Sequence, residues 1–501
     1  MPSFRFSLAN SYDTRVSAIN ASDSTSGYVG TGIVGLMIVG KSTQASDKDA
    51  RYVNCFPIEV GDQITGKKTV KTVKRPGFGT QSTPATGKKG YQVYVWLGAG
   101  AGTSVISAFD TPNSAIYNGV TSQGSITGVC SGITETFVGT TATLCFTSTD
   151  STAWYLADGG ALTQITDGQF PGNAGKTVVG TAAHIDGFMI VLTEDGQLWA
   201  SDNGSVTAWT ANSFGNVNSV PDKSIGAFRW RNYIMALGRE SCEFWQNGGR
   251  TPFPLVRVDS MTLKVGAVHA DAVVSIADTF WWVGSTQQGG LSVFQWDGSI
   301  SRVSPPAIDS ALILAGASNI SLSVTREYGV SVVMVKEGPL TYAYVPETKR
   351  WHERSSTTPL WTKTAASSVG GTMVNYAVSN VRTAGKVFLQ NQASQVFTDN
   401  GVAYSARVQQ PNMDLGTMKR KFWEEIELVH DVETSASDIT LAYTDDDFAS
   451  FVTVGTQDLS EERCRWTRLG SSRRRGWVWI HSAETPMGLY LAEGRATIGN
   501  S

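Results

Sequence analysis

The sequence predicts an all-β protein: a β-propeller of six or seven degenerate blades, with a C-terminal β-sandwich and an irregular N-terminal segment. Three observations predict it. Glycine is abundant, 52 of 501 residues, and comes with 15 Trp, 15 Tyr and 20 Phe. Glycine supplies turns and aromatics suit half-buried strands. Second, one phrase recurs between about residues 91 and 400: a short β-branched or aromatic strand, a Gly/Asp/Asn turn, then a second strand. One inner-strand residue from each instance (Val93, Leu144, Met189, Ile234, Trp281, Val332, Tyr376) gives steps of 51, 45, 45, 47, 51 and 44 residues. Propeller blades repeat every ~40–50 residues. Third, helical periodicity is scarce throughout. A pair of β-sandwiches would also give short strands between turns, but four-stranded blades closed radially protect their sheet edges. No WD or kelch signature accompanies the repeat.

The elements follow in order. Residues 1–50 are rich in Ser, Thr, Asn, Asp and Gly and read as irregular. Residues 51–90 read as a β-rich lead-in or platform: a strand RYVNCFPIEV (51–60), a strand-like GKKTVKTVKRPGFG (66–79) that stops at Pro76-Gly77, and a loop over 79–90. Residues 91–400 carry the propeller. Residues 401–501 read as a separate sandwich with strands VAYSARVQQ, KRKFWEEIELVHDV, SDITLAYTDDD, RCRWTRLGSSRRRGWVWIHS and LYLAEGRATIG. KRKFWEEIELV is a helix by propensity, but Phe422, Glu424, Ile426 and Leu428 alternate and the β context favours a strand.

Composition excludes several classes. Charged residues are 17% and hydrophobic residues 41%, too apolar for a chain kept disordered by charge. Forty Lys+Arg against 43 Asp+Glu give a net charge of −3, so no broad face is expected to grip DNA phosphates. The most apolar N-terminal stretch, 27–40, falls short of the ~20 residues of a membrane span. The opening MPSFRFSLANSYD lacks the apolar core of a secretory signal, and none is expected. Cys55, Cys130, Cys145, Cys242 and Cys464 are scattered and odd in number, without CxxC spacing; free thiols are expected.

Catalytic patterns are missing. His184, His269, His352, His430 and His481 lie far apart, without acidic or Cys partners at ligand spacing. No GxSxG, HExxH, Walker loop or GxGxxG occurs, and GAGAG (98–102) reads as a turn. SDNGSVTAW (201–209) resembles the Asp-box of sialidase-like propellers, where it is a structural turn. TDDD (444–447) could suggest a cation site, but consecutive Asp residues do not converge on one ion without a dedicated loop, and a solvated tip fits better. No catalytic, cofactor-binding or metal-binding residue is therefore assigned. Two basic runs, Lys419-Arg420-Lys421 and Arg473-Arg474-Arg475, are the candidate interface or channel residues; solvated strand ends are the alternative. Strand alternation puts Arg473 and Arg475 on the face of Trp477 and Trp479, and Arg474 on the other face, free to meet an acidic neighbour or a phosphate.

Several stretches together resemble the packaged-DNA stabilisation family, the tail hub or nozzle proteins of short-tailed bacteriophages. RYVNCFPIEV followed by KRPGF is similar to the family's opening. LWASDNGSVTAW with VPDKSIGAFRWRNYIMALGRESCEFWQNGGRTPFPL is similar to its central signature, WWVGSTQQGGLSVFQWDGSISRVSPPAID to the next blade, and RLGSSRRRGWVWIHS to its closing strand. The resemblance implies a non-enzymatic virion subunit, made in the host cytoplasm and needing no cofactor. It implies a homo-hexameric ring below the head-to-tail connector that helps retain packaged DNA and forms the ejection channel. Its partners would be connector proteins, tail needle, spike or fibre proteins, and passing double-stranded DNA without sequence preference; the chain itself would insert in no membrane. The alternatives are a receptor-binding or glycan-cleaving, sialidase-like propeller, and a cellular propeller serving as a binding platform.

Overall fold

The structure is a computed structural model that describes residues 3–7, 51–61, 68–98, 104–110, 112–276, 278–285, 289–338, 340–355, 361–369, 371–379, 381 and 384–499. GAGAG falls mostly outside them, as does most of 1–50.

The described residues contain seven four-stranded antiparallel blades. Blades 1 to 6 are each continuous in sequence. Their innermost strands are Gly90–Trp96, Cys130–Val138, Val178–Ile185, Ser224–Trp230, Val273–Ile276 and Ile320–Glu327. Blade 7 takes three strands, Trp361–Val369, Thr372–Ser379 and Val387–Asn391, from its own stretch. Its fourth is Gly79–Ser82, from before blade 1. The segment expected to be a loop over 79–90 thus supplies the outer strand that closes the ring. A Gly/Ser/Thr-rich strand at a solvent edge carries no apolar alternation, which is why it reads as a loop.

The middle strands are apolar on both faces because both are covered by neighbouring blades. Trp281 and Trp282 show this: side chains alternate along a strand. Trp281 enters the core between blades 5 and 6, Trp282 the core between blades 4 and 5, and both are fully buried. The seven residues expected on inner strands do not all lie on the innermost strands of their blades. Six lie on second strands; Val93 lies on the first strand of blade 1, and Ile106 on Ser104–Phe109 occupies the matching place. The long first step of the repeat has this cause.

One α-helix, Pro306–Ala315, joins blades 5 and 6. Its signals are visible in the sequence: Pro305-Pro306 at the start and Gly316 at the end, with a φ of 78°. It buries Ile308 and Leu312 against blades 5 and 6.

The sandwich draws on both ends of the chain, so it is not made of 401–501 alone. One sheet orders Cys55–Gly61, Lys68–Lys74, Gly488–Ile498, Lys421–His430 and Cys464–Thr467. Ser3–Ser7, within the stretch expected to be irregular, pairs with Gly488–Ile498, and Ser471–Ser472 pairs with Lys421–His430. The other sheet orders Arg51–Val53, Ala406–Gln409, Gly476–His481, Asp438–Thr444 and Val452–Asp458. The last of these strands was missed in the sequence, although Val452 and Val454 alternate. The two sheets enclose Tyr52, Trp423, Trp466, Trp477 and Trp479. RYVNCFPIEV is two strands, not one. Asn54, with φ 55°, breaks it, and the chain passes there from one sheet to the other.

Candidate functional site

The two basic runs meet at one end of the sandwich. Ser471–Ser472 belongs to one sheet and Gly476–His481 to the other, so Arg473-Arg474-Arg475 crosses between them. Lys421 opens Lys421–His430 beside that crossing: its Nζ donates to the carbonyls of Arg473, at 2.6 Å, and Thr417. Arg473 Nη1 donates to Met418 O at 2.9 Å.

The six cations divide into three kinds. Arg475 is buried, stacked 3.7 Å over the Tyr443 ring and held by Asp445 through two bonds of 2.7 Å. Lys421 is buried as well. These two are structural, which corrects the expectation that the whole cluster is available to a partner. Arg475 does share its face with Trp477 and Trp479, as the alternation requires. Arg474 is half-exposed and meets an acidic neighbour, but one in its own chain: Asp447 at 3.2 Å. TDDD is therefore neither a cation site nor a plain solvated tip. Asp445 and Asp447 are counterions for the arginines, and Asp446 ties its own loop by accepting from the Ser450 amide at 3.0 Å. Lys419, Arg420 and Arg473 remain exposed, and no ion pair engages them among the described residues.

A second cluster lies at one mouth of the propeller axis. The 3-10 turn Ala270–Ala272, between blades 4 and 5, places Asp271 there. Lys363 of blade 7 reaches Asp271 Oδ1 at 3.1 Å and its carbonyl at 2.9 Å, and donates to Leu322 O of blade 6 at 3.3 Å. Gln92 of blade 1 donates to Asp271 Oδ1 at 3.2 Å and to Ser131 O of blade 2 at 3.5 Å. A Cβ on Gly180 of blade 3 would lie 3.4 Å from Ala270 Cβ and 2.9 Å from Gly226 Cα of blade 4. The turn thus lies across the mouth, in reach of the inner strands around it. Burial opposes ionisation of Asp271, but Lys363, then His269 and Gln92, hold its carboxyl below the usual range. Sequence reasoning missed this knot; Asp271 and Lys363 are isolated in sequence.

A third cluster joins propeller to sandwich. Arg75, from the KRPGF stretch, is fully buried, pairs with Asp399 through Nη1 and Nη2, stacks 3.9 Å over Tyr404 and donates from Nε to Asn54 Oδ1 at 2.9 Å. Beside it Arg354 and Glu327 of blade 6 form a second fully buried pair at 2.7 and 2.9 Å. Tyr328 donates to Lys74 O at 2.7 Å, and His352 stacks on Phe56 at 4.9 Å. Burial, then Arg354 and Arg75, push the His352 imidazole well below its usual pKa, so it is neutral. Val53 pairs in parallel with Glu353, making the sandwich sheet continuous with blade 6.

The remaining motifs are structural. In SDNGSVTAW, Ser201 Oγ accepts from Met189 N at 2.9 Å and donates to Ser205 O at 2.8 Å, Gly204 takes φ 69°, and Trp209 is buried against Phe170. An open cleft of about 550 Å³ beside the outer strand of blade 4 is lined by Trp245, Phe253, Arg250 and Arg257. Its Asp259 carboxylate is engaged by Arg257 at 2.6 Å. All five cysteines are buried; burial pushes Cys55, Cys130 and Cys145 up to about 12 and Cys464 up to about 11. Among the described residues no group of three or more His, Cys, Asp or Glu could hold a metal, and no helix is long and apolar enough to cross a membrane.

Fold and clusters together define a seven-bladed β-propeller with an obstructed axial mouth, joined by buried ion pairs to a sandwich with one cationic end. Residues 114–336, from the third strand of blade 1 to the second strand of blade 6, match the family model Phage_stabilise, described as "Bacteriophage P22 Gp10, beta-propeller". Over those residues, rather less than half of its length, the chain is similar to that phage structural family, as its sequence motifs suggest. No curated protein matches the chain. Three solved structures resemble it distantly. A chain from the crystal structure of BBS1N in complex with ARL6DN has 13% identity over 63% of this chain and 96% of its own, TM-score 0.42. The extracellular domain of the one-component system BT4673 from B. thetaiotaomicron has 11% identity over 75% of this chain and 48% of its own, TM-score 0.42. An exo-β-1,3-galactanase from Phanerochaete chrysosporium has 8% identity over 74% of this chain and 96% of its own, TM-score 0.30. Similarity at this level carries nothing about function.

Proposed function

We propose that the chain is a tail hub or nozzle subunit. Six copies form a ring under the head-to-tail connector, surround the path by which DNA leaves, and help retain the packaged genome. The family-model match over residues 114–336 carries this reading. The Asp271 turn supports it, because a duplex then passes between copies rather than along a propeller axis. So does the net charge of −3. Each phosphate contact adds salt-dependent affinity, and a duct through which DNA must slide works best with few of them. The role needs no catalytic group or cofactor. The chain acts through surfaces, on connector proteins above, on needle, spike or fibre proteins around it, and on DNA without sequence preference. It is made in the host cytoplasm and resides in the virion tail.

The test is particle assembly without this chain. Heads are expected to package DNA and then lose it to added nuclease, with tails ending at the connector. Particles that keep nuclease-resistant genomes and complete tails would overturn the reading. So would turnover of host polysaccharide by the purified chain that one Asp or Glu substitution abolishes.

A further inference from the structure

The sandwich is electrically polar along its strands. Lys421–His430 spans ten residues, about 30 Å at 3.3 Å per residue. At its Lys421 end lie exposed Lys419, Arg420 and Arg473, and the registers Lys421↔Ser472 and Thr444↔Gly476 put both sheets' basic residues there. Asp445, Asp446 and Asp447 at this end are already engaged within the chain. Two large apolar side chains stand among the free cations: Met418, 57% exposed, and Phe422, 49% exposed.

The opposite end is acidic. Leu428↔Cys464 and Ile439↔His481 fix which turns meet there. Asp438 lies directly across from Asp458, and Glu461 and Glu462 follow in the next turn. The Glu433 amide donates to Leu459 O at 2.9 Å, which brings Glu433 to the same turn. Asp438, Glu461, Glu462 and Glu484 are exposed. The cations at this end are engaged: Lys71 pairs with Asp431 and Arg463 with Glu427. Val432, 54% exposed, stands among the acids as Met418 and Phe422 stand among the bases.

We propose that the basic end of the sandwich docks head to tail on the acidic end of a second copy of this chain. The inference rests on the ring reading above. Two complementary but different patches on one chain make a heterologous contact, which gives a ring when the rotation between copies closes and an open filament when it does not. Exposed apolar side chains ringed by charge have the make-up of a protein interface, an apolar centre with a polar rim. DNA phosphates would use the cations and leave Met418 and Phe422 in water. Complementary rim charges speed and orient such docking and are screened by salt.

The test uses two full-length charge-reversal variants, Lys419→Glu/Arg420→Glu with two acidic ends, and Glu461→Lys/Glu462→Lys with two basic ends, and one apolar variant. Self-association is measured by native mass spectrometry in solution and by incorporation on tails assembled without this subunit, at low and high salt. All four positions are exposed turn residues, so circular dichroism is expected to be unchanged. Each variant alone is expected to lose about tenfold or more in association. The two mixed are expected to regain it as alternating assemblies, which also shows that both are folded. Met418→Ser/Phe422→Ser is expected to weaken association at both salt concentrations. Variants that each assemble like the wild type would overturn the inference and leave the ring standing, as would a mixture that fails to recover. Wild-type protein that forms no ring even on such tails would overturn the ring reading itself. Loss of DNA binding by Lys419→Glu/Arg420→Glu with assembly intact would move this patch to the nucleic acid and overturn the docking.

Discussion

The propeller and the sandwich bury similar cores by opposite routes. In blades 1 to 6 each strand pairs with its immediate neighbour in sequence. The sandwich takes Ser3–Ser7, Arg51–Val53, Cys55–Gly61 and Lys68–Lys74 from one end of the chain and lays them against strands beyond residue 400. Non-local pairing carries a loop-closure cost that local hairpins avoid. Here the propeller between the two ends lowers that cost: once its ring closes through Gly79–Ser82, the chain ends leave it from neighbouring places. The buried pairs at the joint then fix the sandwich to blade 6. The lesson is that this joint belongs to both regions, and breaking it is how the comparison is probed.

The largest effect is expected at the joint. Asp399→Ala removes the carboxylate that pairs with the buried Arg75 guanidinium, at a cost of about 3–5 kcal/mol. Urea unfolding followed by tryptophan fluorescence should show sandwich and propeller losing stability together. Recovery by the double variant Arg75→Met/Asp399→Leu would mark the pair as a device of orientation more than of stability. A sandwich transition that moves alone would instead show two independent regions.

Acid should act on the sandwich first. His481 is buried, accepts or donates to Ser437 Oγ at 2.9 Å, and burial, with Lys74 adding to it, pushes its pKa down to about 3. The unfolded chain binds this proton near the ordinary 6.5 and the native state does not. Stability from this group is therefore full above about pH 6.5 and declines as pH falls toward 3, by a few kcal/mol in all. His481→Gln is expected to flatten that part of the stability–pH curve. An unchanged slope would place the acid sensitivity elsewhere, with buried neutral His352 the next group to remove.

Closure of the propeller is probed at Gly385, whose φ is 55° and where a Cβ would fall 1.8 Å from Ala85 O. Gly385→Ala should displace the strand that completes blade 7 and cost about 1–3 kcal/mol, seen as faster proteolysis around residues 79–90. Protection equal to wild type there would mean the ring does not depend on this strand. The smallest effect is expected from Arg474→Glu. Its pair with Asp447 is half-exposed and contributes within about 1 kcal/mol, so the melting temperature should barely move. Arg475→Ala, which strips Asp445, Tyr443 and the Leu469 carbonyl of their partner, should move it far more.

What the sequence made legible follows the same divide. Apolar middle strands between turns, such as Met189–Leu192 or Trp281–Val283, announce blades because both faces are covered. The blade repeat and the alternation that buries Arg475 beside Trp477 and Trp479 were readable for that reason. Gly79–Ser82 was not, since an edge strand needs no apolar face, and neither was the membership of Arg51–Val53 in a sheet with residues 406–481. The basic runs were visible as charge. Their division into buried Lys421 and Arg475, paired Arg474 and exposed Lys419, Arg420 and Arg473 depends on Asp445 and Asp447 crossing to them, which spacing along the chain does not encode. The Asp271–Lys363 knot was invisible for the same reason.

The most direct measurement is a cryo-electron-microscopy reconstruction of the virion tail. The expected result is a ring of six copies around the DNA path, each a seven-bladed propeller with the Ala270–Ala272 turn across its axial mouth and the duplex running between copies. A reconstruction in which this chain is absent from the ring below the connector, or in which DNA density threads a propeller axis, would contradict it.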